Sequence, residues 1–80
     1  MKKDKKLDVF RKKIDALDKV IMKNLEKRMK LSKDIGKYKK KNKISITDKN
    51  REKEILQKAK SSDVKNIYKL IFSLSKCKQK

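Results

Sequence analysis

The apolar positions in the first half of the chain follow a seven-residue repeat. Leu7, Ile14, Ile21 and Ile35 occupy one series, and Phe10, Leu17, Asn24 and Leu31 occupy the interleaved one. The stretch has no proline and one glycine, Gly36, so the spacing predicts a single helix over residues 7–41. At about 1.5 Å per residue, such a helix is roughly 50 Å long. A compact chain of this size has a radius of gyration of only about 12 Å. The chain cannot wrap that helix alone, and the stripe asks for a partner. One position breaks the first series: Arg28 stands midway between Ile21 and Ile35, where an apolar residue is expected.

The lysines of residues 37–43, with Asn42, close the long helix on cations that suit its negative pole. Residues 44–46 read as a short extended link. Thr47 or Asp48 then caps a second helix over residues 49–60. Its apolar positions are Ile55, Leu56 and Ala59. Counting back by threes and fours, the same face carries Glu52, Arg51 and Asp48, so it begins with two carboxylates and an arginine. Asp63 is the expected cap of a third helix from residue 64 to the end of the chain. Its inward face reads Val64, Ile67, Tyr68, Ile71 and Leu74, and the Ile67–Ile71 row extends by fours to Ser75 and Gln79. Residues 1–6 read as a frayed, lysine-rich lead-in. The expected architecture is all-α: three helices, one very long, in a single domain over residues 1–80. Gly36 weakens its helix by about 1 kcal/mol relative to alanine. Either the helix tolerates it, or a backbone or ligand approaches closely there.

Composition narrows the function classes. Charged residues make up 48% of the chain and apolar residues 35%, so one copy buries little and oligomerisation is a natural remedy. No run approaches the apolar length of a membrane span, and the first residues lack the apolar core of a signal peptide. Cys77 is the single cysteine, which leaves no intramolecular disulfide and no thiolate metal cluster, and histidine is absent; no metal or cofactor is expected. The expected location is a reducing cytoplasm, with no membrane association.

The net charge of +18 raises the question of nucleic acid. The cations are 25 lysines spread over the whole chain, against three arginines, and there is no tryptophan. A nucleic-acid surface concentrates its charge, uses arginine forks and interleaves aromatics. A basic nucleic-acid or interaction module is therefore kept as an alternative only. The same lysine bias makes the arginines informative. Where the chain needs a mere cation it uses lysine; arginine appears at Arg11, Arg28 and Arg51. Its planar fork binds a carboxylate or phosphate through paired hydrogen bonds, which lysine cannot do.

Helical geometry constrains how these groups meet. Arg28 and Lys39 share a face, about 16 Å apart along the axis, and can lean toward one small anion from both ends. Arg11 is about 42 Å from Lys39, too far to join them. If two long helices pair antiparallel around residues 19–21, Arg11 of one copy comes beside Arg28 of the other. That arrangement predicts a symmetric dimer with two shared sites.

Five segments, read together, resemble the all-helical chorismate mutase family. They are Arg11-Lys-Lys-Ile-Asp-Ala-Leu-Asp, Glu26-Lys-Arg28-Met, Ile35-Gly-Lys-Tyr-Lys39, Asp48-Lys-Asn-Arg51-Glu52 and Ser75-x-x-x-Gln79. The similarity spans residues 7–79. It implies an intertwined homodimer of three-helix subunits that rearranges chorismate to prephenate on the way to phenylalanine and tyrosine. By resemblance, Arg28, and Arg11 across the interface, bind the two substrate carboxylates. Lys39 and Gln79 donate to the ether oxygen, and Glu52 with the backbone at Asp48 holds the ring hydroxyl. Arg51 and Ser75 complete the polar lining. A unimolecular rearrangement needs no nucleophile or cofactor, in keeping with the residue types present. A second activity of the same fold, isochorismate–pyruvate lyase, stands as the alternative enzyme.

Overall fold

The computed structural model describes residues 4–80. Three helices follow in order: α1 (Lys5–Lys41), α2 (Lys49–Lys58) and α3 (Ser62–Gln79). Each starts on a side-chain cap. Asp4 accepts from the Leu7 backbone N–H, Asp48 from Arg51 and Ser61 from Val64. Of the two caps open for α2, Asp48 is therefore the one used. The cap of α3 is Ser61 rather than Asp63, which places Asp63 in the first turn, where its charge favours the positive pole. The expected lead-in is shorter than residues 1–6: residues 1–3 lie outside the described residues, and Lys5 and Lys6 are already helical.

α1 ends in a Schellman turn. The Lys43 N–H donates to the Lys40 carbonyl, and the Ile44 N–H to the Lys39 carbonyl at 2.8 Å. Lys43 takes the left-handed conformation this turn requires, with φ 55°. A side chain there costs about 1 kcal/mol, so Lys43→Gly is expected to stabilise the fold by about that amount. Thermal unfolding measures it; an unchanged or lower midpoint would count against the turn.

The chain is elongated, 60 × 23 × 16 Å, with a radius of gyration of 17.2 Å. α3 lies along the C-terminal half of α1, and α2 leans on α3 rather than on α1. Ser75 meets Arg28 and Gln79 meets Lys39, so α1 and α3 run in the same general direction. Among the described residues Phe72 is the one buried hydrophobic side chain, with Tyr68 tilted against it at 5.9 Å. Phe72 was not among the expected inward residues, and Val64, Ile67 and Leu74, which were, stay exposed in the single chain. The stripe on the N-terminal half of α1, from Leu7 through Ile21, is likewise uncovered. The accessible surface is 7622 Å². A compact monomer of this mass exposes about 5,000 Å². No helix of the described residues is long and apolar enough to cross a membrane.

Candidate active site

The uncovered stripe leaves one end of the molecule as its polar centre. Arg28, Ser32, Ile35 and Lys39 recur at helical spacing on α1 and face a cavity of about 450 Å³. α3 closes it with Phe72, Ser75, Lys76 and Gln79. The link and α2 add Ile46, Asp48, Arg51, Glu52 and Ile55. Seven of the eight candidate side chains thus line one cavity. Arg11 does not: it sits on the exposed N-terminal half of α1, about 26 Å along the axis from Arg28.

Tertiary contacts orient these groups. The Arg28 guanidinium donates through Nη1 to the hydroxyl of Ser75, which is buried. The Lys39 ammonium donates to the Ile46 carbonyl at 2.9 Å and to Gln79 Oε1 at 3.0 Å. The Schellman turn makes the first bond possible, because it reverses the chain just after Lys39 and returns Ile46 over it. Two of the three ammonium donors are used and one is left. Lysine has no acceptor, so the oxygen of the Gln79 amide must face it. The amide nitrogen, with two N–H donors, makes no hydrogen bond among the described residues.

Gly36 explains how Gln79 reaches this place. A Cβ at Gly36 would lie 2.5 Å from both Gln79 Cα and the Gln79 carbonyl oxygen. The glycine is therefore a close-approach position, and of the two readings open from sequence, tolerance is set aside. Gly36→Ala gains about 1 kcal/mol of helix propensity but forces the α3 backbone away, an overpacking cost of about 1–3 kcal/mol. The expected net result is a lower unfolding temperature. A rise would show that α3 does not pack here.

The α2 residues are less enclosed. Glu52 is half-buried and pairs with Lys76 of α3, Nζ to Oε2, at 3.0 Å. Arg51 and Asp48 are exposed at the rim, and Arg51 makes a loose contact of 3.8 Å with Glu54. Sequence reasoning missed two polar lining residues. Ser32 is buried and lies one turn beyond Arg28, so extending the Arg28 row by four would have found it. Lys76 carried no signal, being one lysine among 25.

The model of the chorismate mutase type II family matches residues 10–80 of this chain. The chain belongs to that family. Chorismate mutases are isomerases, and membership makes this protein an enzyme of that kind, with an all-helical fold. A solved structure of a conserved hypothetical protein from Pyrococcus furiosus is also similar. It is 35% identical over 98% of this chain and 100% of that chain, with a TM-score of 0.89. No curated protein matches the chain. In the cavity lining, Arg28, Lys39, Arg51 and Lys76 stand against Asp48 and Glu52, a net charge of +2.

Proposed function

We propose that this protein converts chorismate to prephenate as a homodimer in which each site takes Arg11 from the partner subunit. The observation that carries the reading is the convergence of Arg28, Lys39, Glu52, Ser75 and Gln79, drawn from all three helices, on one cavity of net positive charge. A substrate with two carboxylates is the charge complement of that cavity.

The reaction breaks the ether C–O bond and forms a C–C bond within one molecule. Substrate and product are isomers, and no atom enters or leaves. The work left to the protein is to hold the reactive conformer and to stabilise negative charge growing on the ether oxygen. Arg28, steadied by Ser75, clamps one carboxylate, and Arg11 of the partner subunit clamps the other. Arg51 completes the rim on this side. The remaining Lys39 donor and the free Gln79 amide N–H groups meet the ether oxygen. Both are held in place before substrate arrives, so little reorganisation is needed as the charge develops. Glu52 and the backbone at Asp48 take the ring hydroxyl.

The dimer is supported by the excess surface and by the bare Leu7–Ile21 stripe. Antiparallel pairing of two copies of α1 around residues 19–21 covers that stripe and brings the partner's Arg11 beside Arg28. Sedimentation at micromolar concentration is expected to give twice the 9.5 kDa chain mass. A well-folded, fully active monomer would refute the shared site. The activity itself is tested by following chorismate loss and identifying prephenate. The same assay with isochorismate, scored for pyruvate, separates mutase from lyase.

A further inference from the structure

The Lys76–Glu52 ion pair lines the cavity, on the wall it shares with a neighbouring one, and joins two helices, a distinction no other ion pair among the described residues shares. α2 buries no residue of its own and rests on α3. The placement of its first turn, which carries Glu52, is therefore weakly determined by packing. A charged contact from α3 can decide it. The pair engages Glu52 Oε2, and a carboxylate has a second oxygen with lone pairs to spare.

We propose that Lys76 is a positioning residue of this site: it anchors Glu52 from α3 and so presents the free carboxylate oxygen to the substrate. The inference rests on the chorismate reading above and deepens it. Two effects follow from one contact. Lys76 fixes where the first turn of α2 stands relative to Arg28 and Lys39, which α1 holds. It also offsets the repulsion between the Glu52 carboxylate and a dianionic ligand in the same cavity, where charges separated by a few ångströms interact strongly. Ser75, the neighbour of Lys76, holds Arg28. Adjacent residues of α3 thus orient the clamp on α1 and the acceptor on α2.

The experiment measures kcat and KM for chorismate in a double-mutant cycle. Lys76→Met removes the charge and keeps the stem. Lys76→Ala serves as a second version, alanine being the strongest helix former. Each is expected to lower kcat/KM about tenfold or more, since misplacing a reacting partner by an ångström carries penalties of that order. Lys76→Arg is expected to restore most of the activity, and Lys78→Met, on the exposed side of α3, to leave it unchanged. In a Glu52→Gln background the Lys76 substitutions are expected to have little further effect, because the group they position is already altered. Loss of the same size in both backgrounds would mean that Lys76 acts on the substrate directly and would overturn the proposal. A wild-type chain that converts chorismate, with both Lys76 variants unimpaired, would overturn the proposal alone. A wild-type chain that leaves chorismate untouched would overturn the functional reading and this proposal together.

Discussion

Arg11→Ala and Lys39→Ala chains, each nearly inactive alone, are expected to recover about a quarter of native activity when mixed. Lys39 faces the cavity of its own chain, whereas Arg11 lies far along α1 from it. If Arg11 serves the partner's site, as proposed, one site of a mixed dimer draws Arg11 from the Lys39→Ala chain and Lys39 from the Arg11→Ala chain, and is whole. The other site lacks both. Random exchange makes about half the dimers mixed, so roughly a quarter of all sites are complete. The parents are slow for different reasons. Losing Lys39 removes a preorganised donor, a loss of about a hundredfold or more. It also frees the Gln79 amide oxygen from its partner, so the second donor loses its orientation as well. Losing Arg11 would remove the second of the two proposed carboxylate clamps. The measurement is turnover after mild unfolding and refolding of the mixture, with mass analysis to confirm mixed dimers. Parental activity in a confirmed mixture would show that Arg11 does not act across the interface.

Arg28→Lys is expected to cost more than tenfold in activity, about 1.4 kcal/mol or more of transition-state stabilisation. The charge is retained, so a purely Coulombic role would survive the change. Two things are lost. The planar fork that grips a carboxylate with two parallel bonds is gone, and so is the guanidinium contact that the buried Ser75 hydroxyl accepts. Lys27→Arg is the matched comparison, one residue away and exposed to solvent. It is expected to be silent. Equal effects at the two positions would reduce Arg28 to another surface cation.

Arg28 and Lys39 differ in how far the sequence alone foresaw their contacts. Arg28 stood out locally, as an arginine in a lysine-rich chain and as a break in an apolar stripe. Lys39 stood out only through its spacing from Arg28 and through family resemblance. The resemblance placed Gln79 with Lys39 and Ser75 in the same lining, but neither argument gave the direct bonds to Ser75 and Gln79 or the part played by the Ile46 carbonyl. Those contacts join residues up to 47 positions apart and depend on how one helix is set against another.

Helical periodicity is a local property, and the chain carries it openly. The repeat from Leu7 to Ile35, the apolar spacing that follows it, the absence of proline and the Asp48 cap were enough to place three helices within a few residues at each end, although the cap of α3 is Ser61 and not the expected Asp63. They were also enough to align Arg28 with Lys39 on one face, because that follows from 3.6 residues per turn. What periodicity cannot encode is the relative sliding and rotation of two faces that are both apolar. On α3 the expected inward face was Val64, Ile67, Tyr68, Ile71 and Leu74. The contacts of Ser75 with Arg28 and of Gln79 with Gly36 set a face that buries Phe72 and Ser75 and leaves Ile67 and Leu74 exposed in the single chain. Gly36 shows the same division. Its conformational cost is visible in sequence, but its purpose is to admit the Gln79 backbone, which is 43 positions away. Lys76 is the extreme case. Composition hides it among the other lysines, and only the approach of α3 to α2 makes it the counter-ion of Glu52. Local spacing determined which side chains share a helix face. Contacts between distant segments decided which faces meet and which of the shared side chains find each other.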